Sequence, residues 1–156
     1  MQGTPAATLV ALLAAMLVVA AVGDLRSRII PNWLNLAIAL GAVPFWWLSD
    51  LALWPDIATR VGIAVLLLAI FAGLFAIGAM GGGDVKLIAA LALWLPPPSV
   101  VELLLIMSIA GGALTLVMLI GHRLRKSATK LEVPYGVAIA FGGMWLIGQP
   151  ILNQFG

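Results

Sequence analysis

Cysteine is absent from the 156 residues, and histidine occurs once, at position 122. Disulfides, cysteine-ligated zinc and thiol nucleophiles are thereby excluded, and a single histidine makes no His-rich metal site. Charge is equally scarce: eight Lys or Arg and six Asp or Glu amount to 9% of the chain. Any chemistry must rest on carboxylates or hydroxyls, with no metal or other cofactor expected. The apolar run over residues 5 to 22 has no Lys or Arg before it. It lacks the basic n-region of a cleavable signal peptide, and we read it as a retained first span. A net charge of +2 in so apolar a chain reflects loop residues that orient a membrane protein, and no nucleic-acid binding is inferred.

What the chain has instead is hydrophobicity. Apolar residues make up 63% of it and its mean hydropathy is +1.18, well outside the soluble globular range. The composition points to an integral membrane protein, and the length to one domain, 1–156, built as a single bundle of spans of roughly 20 residues each.

The first span ends at a polar stretch, Gly23-Asp24-Leu25-Arg26-Ser27-Arg28-Ile29-Ile30-Pro31-Asn32, where Pro31 suits the first turn of the next helix. The second span covers about 33 to 48, and the third about 57 to 79 after a loop with Pro55 and Asp56. Then comes the loop Gly81-Gly82-Gly83-Asp84-Val85-Lys86. The fourth apolar segment, Leu87 to Leu95, meets Pro96-Pro97-Pro98 early. Even counted from Asp84 it covers only about 18 Å. It is either a re-entrant half-helix or a span whose amino end is recessed. The fifth span is about 99 to 120, a basic loop occupies 121 to 132, and the sixth span is 134 to 148.

The distribution of bases decides between the two readings. With six spans and both termini outside, seven of the eight bases, Arg26, Arg28, Lys86, Arg123, Arg125, Lys126 and Lys130, are cytoplasmic, and Arg60 alone is outside. A re-entrant fourth segment evens out that split. We therefore expect an all-α bundle of six transmembrane helices, with Asp24 and Asp84 on the cytoplasmic side and Asp50, Asp56 and Glu102 as solvated loop residues opposite.

Gly23-Asp24-Leu25-Arg26 and Gly83-Asp84-Val85-Lys86 share a pattern of glycine, aspartate, aliphatic residue and base, 60 residues apart. Two carboxylates facing one water can divide the work of acid and base, because like charges held close keep one proton between them. The plainer reading is that each Asp caps a helix amino terminus and each base sets orientation. Two aspartates on one face, each beside a glycine in a chain with six acids, favour the paired reading.

Gly81-Gly82-Gly83-Asp84 reads as the GxGD motif of membrane aspartyl proteases. Together with Lys86, Asp24-Leu25-Arg26, Ile30-Pro31-Asn32 and Pro134-Tyr135-Gly136-Val137-Ala138-Ile139-Ala140, it resembles the type IV prepilin peptidases, in the order and spacing of that family. The resemblance implies an aspartic endopeptidase whose catalytic pair is Asp24 and Asp84. Its substrate is then a prepilin or pseudopilin leader, cut on the cytoplasmic side of the bacterial inner membrane just before the hydrophobic segment. Gly81, Gly82 and Gly83 would let an extended peptide approach, with Lys86 and Asn32 beside it. Without the cysteine-containing amino-terminal domain of larger members, the chain is similar to the minimal form of tight-adherence (Flp-type) pilus systems. N-methyltransferase activity is not carried over.

Asn32 and Asn35 share a helix face and suit either water orientation or helix-end bonding. The Gly111-Gly112 and Gly142-Gly143 pairs are expected to allow close helix packing. Trp46, Trp47, Trp54 and Trp94 are expected as interfacial anchors, and Arg123, Arg125, Lys126 and Lys130 as contacts to anionic lipid. His122 gets no catalytic role, and self-association stays open. The rival class is a non-enzymatic membrane protein, a proton-coupled transporter or an assembly scaffold. Transport calls for polar residues through the span interiors, whereas spans one, three and five have apolar middles. An intramembrane protease of the presenilin kind also shares GxGD, but its Tyr-Asp motif is missing, since Gly23 precedes Asp24.

Overall fold

A computed structural model describes residues 4–124 and 133–152. Among them are six α-helices and no strand: α1 Thr4–Ser27, α2 Asn32–Leu48, α3 Ala58–Ala76, α4 Gly82–Ala92, α5 Pro97–Leu124 and α6 Tyr135–Leu152, with one π-helical turn, Leu53–Ile57, before α3. Three stretches, Pro5–Ser27, Leu53–Ala76 and Pro97–Arg123, are long and apolar enough to cross a membrane, and Asn32–Leu48 and Tyr135–Gln149 are shorter apolar helices. Large apolar side chains cover the outside: Trp47 is 86% exposed, and Leu53, Ile109 and Val117 are likewise outward. Such a surface suits hydrocarbon rather than water.

The short helix α4 is the hub, in contact with α2, α3 and α6. From Asp84 to Ala92 every side chain except Lys86 is buried. An eleven-residue helix ending inside a membrane protein leaves carbonyls that no lipid can satisfy. Neighbours supply the donors. The Trp46 indole N–H donates to the Leu93 carbonyl at 2.7 Å. The buried Arg60 guanidinium of α3 donates to the Trp94 carbonyl. The Trp94 indole in turn donates to the Ile38 carbonyl at 2.8 Å and packs on Phe45, ring centroids 5.0 Å apart.

These contacts revise two expectations. Trp94 is a core residue, not an interfacial anchor, and Arg60, counted as the one base on the outer side, is a buried helix-end donor. Trp47 and Trp54, at 86% and 79% exposure, do face outward. Asp56 accepts the Ala52 N–H at 3.2 Å within its own turn. Of the basic cluster, Arg123 lies in the last turn of α5; Arg125, Lys126 and Lys130 lie outside the described residues.

The helices alternate in direction. Asn35 of α2 meets Gly83 at the start of α4, and Trp46 near the end of α2 meets Leu93 at its end, so α2 and α4 run parallel. Phe75, near the end of α3, lies against Gly82, and Arg60, near its start, meets Trp94, so α3 runs antiparallel to both. Glycine sets the spacing of α6. A Cβ on Gly142 would lie 3.1 Å from Leu103, one on Gly143 3.0 Å from Leu17, and one on Gly111 2.9 Å from the Tyr135 ring. Gly112 has nothing within 4 Å, so only one member of the first glycine pair packs a helix.

Candidate active site

Asp24 comes from α1, which does not stop at Gly23. The polar residues that follow are all compatible with a helix, which continues to Ser27 and ends where Arg28 enters the left-handed region at φ 57° and its N–H returns to the Asp24 carbonyl at 3.0 Å. Asp24 is therefore a side chain of a helix's last turn, not of a loop. It is 4% exposed, and its Oδ2 accepts the Val137 N–H from the first turn of α6 at 3.1 Å.

Asp84 comes from the opposite kind of helix end. Gly81 is the extended residue before α4, Gly82 and Gly83 are already helical, and Asp84 follows in the first turn, 9% exposed. A carboxylate there is favoured by the helix dipole. Asn35, itself buried, donates Nδ2 to the Gly83 carbonyl at 3.1 Å and fixes the start of α4 on α2. Its Oδ1 is buried without a partner among the described residues.

The two aspartates share one cleft of about 200 Å³, lined by Asp24, Arg28, Ile29 and Ile30 from the α1–α2 corner and by Gly81, Gly82, Gly83 and Asp84 from the start of α4. They are close enough for the charge of Asp24 to act on Asp84. Only four polar side chains are buried among the described residues: Asp24, Asp84, Asn35 and Arg60. Three of the four belong to this end of the bundle.

The glycines divide their work. A Cβ on Gly81 would lie 3.0 Å from Asp84 Oδ2, so its bareness clears space beside the carboxylate. A Cβ on Gly83 would meet Ile30 Cβ at 3.0 Å and its carbonyl at 3.3 Å, so that glycine is spent on packing the chain against itself. Lys86 and Asn32 do not line the cleft; the Lys86 ammonium donates to Asn32 Oδ1 at 2.8 Å on the exposed surface. Arg28, read as a base that sets topology, and Ile30, read as part of the Ile30-Pro31-Asn32 motif, are cleft residues. Gly136 and Val137, against Asp24, belong to the 134–140 segment of the resemblance, which gave neither of them a role. The one clue was a glycine two residues after a helix-starting proline.

An apolar helical bundle with two buried carboxylates opening into one cleft is a membrane protein equipped for carboxylate chemistry. Residues 11–116 match the type IV leader peptidase family. The chain belongs to that family and is a peptidase, hence a hydrolase. No curated protein and no solved structure matched it. The matched segment holds both aspartates and all three glycines of the cleft, while α6, which touches Asp24, lies beyond it.

Proposed function

We propose that this peptidase is an aspartyl endopeptidase that removes the leader of type IV prepilin-like precursors of the Flp type, with Asp24 and Asp84 as its catalytic pair. The observation that carries the reading is the meeting of two carboxylates, 60 residues apart in the chain, in one cleft that is otherwise apolar, glycine-rich and edged by a single guanidinium. One carboxylate takes a proton from the attacking water while the other protonates the scissile carbonyl. The protons return when the C–N bond breaks, and no covalent intermediate forms. The extended leader lies along Gly81, where a side chain is missing beside Asp84, with Lys86 and Asn32 at its flank.

In the bilayer we place six spans, with both termini outside and the cleft on the cytoplasmic side of the bacterial inner membrane. The alternating helix directions support this, as does the gathering of Arg26, Arg28 and Lys86 at the cleft end. The buried Arg60 no longer counts against the charge bias, because it serves a helix end. A transporter reading fares worse. Between the aspartates and Arg60 the core holds Leu13, Leu17, Ile38, Leu87, Ile88 and Leu91, and among the described residues the only other buried polar side chain is Asn35, at the aspartate end, so they form no polar route across. In cells co-expressing a prepilin, Asp24→Asn and Asp84→Asn are each expected to leave the precursor uncut while the variant is still inserted. Normal processing by either variant overturns the pair.

A further inference from the structure

The contacts of Asp24 reach beyond the two motif segments. Its Oδ2 accepts the Val137 N–H at 3.1 Å, a donor shared with the Pro134 carbonyl at 3.2 Å, as happens at helix ends. The same oxygen lies where Gly136 has no side chain: a Cβ there would sit 2.9 Å from Oδ2 and 2.7 Å from Ile30 Cδ1. A carboxylate oxygen held by a backbone N–H in the first turn of a helix is favoured as an anion, an advantage that Asp84, in the first turn of its own α4, shares in part. Asp24 has in addition the guanidinium of Arg28, four residues on along the same wall of the cleft, and of the two carboxylates it is the better held as an anion.

We infer that the first turn of α6 is the third part of the site, in which the bare Cα of Gly136 and the N–H of Val137 position Asp24 as the carboxylate that takes the proton from water. This rests on the aspartyl peptidase reading and assigns the two roles that reading leaves undivided. Water adds to the scissile carbonyl carbon and gives its proton to Asp24, while Asp84, carrying the shared proton, gives it to the carbonyl oxygen. As the C–N bond breaks, Asp24 returns its proton to the leaving nitrogen and Asp84 recovers one from a hydroxyl of the tetrahedral intermediate. Both residues end as they began. Val137 and Gly136 touch no reacting atom; they are positioning residues acting through Asp24.

The test separates the Val137 backbone from its side chain. Val137→Pro removes the N–H at the third residue of α6, still within its first turn, together with the bond to the Pro134 carbonyl. Val137→Ala keeps the N–H. Replacing Val137 by its α-hydroxy analogue through nonsense suppression exchanges the N–H for an ester oxygen and keeps the side chain; besides the Asp24 contact it costs only the bond to the Pro134 carbonyl and some acceptor strength at the Gly136 carbonyl. With purified protein and a prepilin substrate, the proline variant and the ester are expected to lower kcat on the order of 10- to 100-fold at unchanged KM. Val137→Ala is expected to recover the kcat that Val137→Pro loses. If Val137→Pro does not fold, the ester decides. The inference is overturned by an ester protein of wild-type kcat, by an effect confined to KM, or by a Val137→Ala as impaired as the proline variant. Asp24→Asn in the same assay keeps the two levels apart: its normal cleavage would remove the catalytic pair itself, whereas an inactive Asp24→Asn beside a fully active ester removes only the role of α6.

Discussion

Gly83→Ala asks what a glycine of the GxGD segment is for. The new Cβ is placed 3.0 Å from Ile30 Cβ, 3.3 Å from its carbonyl oxygen and 3.4 Å from its nitrogen. Carbon atoms in good contact lie about 3.5–4.0 Å apart, so the two segments must separate by about 0.5–1 Å. Ile30 cannot swing aside, because the atoms met are its backbone and Cβ. Overpacking of this kind costs about 1–3 kcal/mol, against a gain of at most about 1 kcal/mol from replacing a helical glycine by alanine, so the net effect is destabilising. The catalytic consequence is larger. Ile30 belongs to the corner that carries Asp24, and Gly83 adjoins Asp84, so the shift moves the carboxylates apart. A misplacement of that size is expected to lower kcat on the order of 100-fold. The assay is prepilin cleavage by purified protein with kcat and KM separated, beside thermal unfolding in the same detergent. Gly112→Ala, with nothing among the described residues within 4 Å of the new methyl, is the control: it should leave kcat unchanged and stability unchanged or raised by at most about 1 kcal/mol. A Gly83→Ala protein with wild-type kcat would refute the reasoning and return this glycine to the role of peptide docking edge.

Other expectations follow from the two ends of the bundle. Trp46→Phe removes the N–H that satisfies the Leu93 carbonyl and should destabilise the protein by about 1–3 kcal/mol in denaturation, with kcat unchanged because the site is at the other end. Lys86→Met breaks an exposed pair with Asn32 worth at most about 1 kcal/mol; it should raise KM for a prepilin and leave stability alone, and an unchanged KM removes Lys86 from the leader-binding surface. The chain has no cysteine, so Ser27→Cys and Ser99→Cys report topology without background. An impermeant maleimide should reach position 27 only from the cytoplasm and position 99 only from outside, and the reverse pattern contradicts the six-span arrangement.

The number of helices was legible because each is an apolar run bounded by Gly, Pro or charge, and the pairing of Asp24 with Asp84 was legible because both follow glycine at span junctions. Helix ends were harder to read. Polarity marks where apolar burial stops, not where the backbone leaves the helix, so α1 runs on through Asp24 to Ser27, and the glycine-rich loop is half helix, with Gly82 and Gly83 in its first turn. Pro97 opens α5, two residues earlier than the expected span, because proline suits a helix start. Trp94 and Arg60 were misjudged for a different reason. An aromatic or basic residue near a span end reads the same whether it faces lipid headgroups or a carbonyl of its own protein; the early end of the buried α4 creates the carbonyl that Arg60 answers, and Trp94, just past that end, turns its indole to the Ile38 carbonyl of α2. The contact of Val137 with Asp24 was illegible because it is made by a backbone N–H, which every residue but proline carries.

The most direct measurement of the central claim is cleavage of a purified prepilin by the purified protein, with the new amino terminus read by mass spectrometry. Wild-type protein should release a single product beginning just before the hydrophobic segment, and Asp24→Asn and Asp84→Asn, folded to the same degree, should release none. Formation of that product by either variant at the wild-type rate would contradict the account.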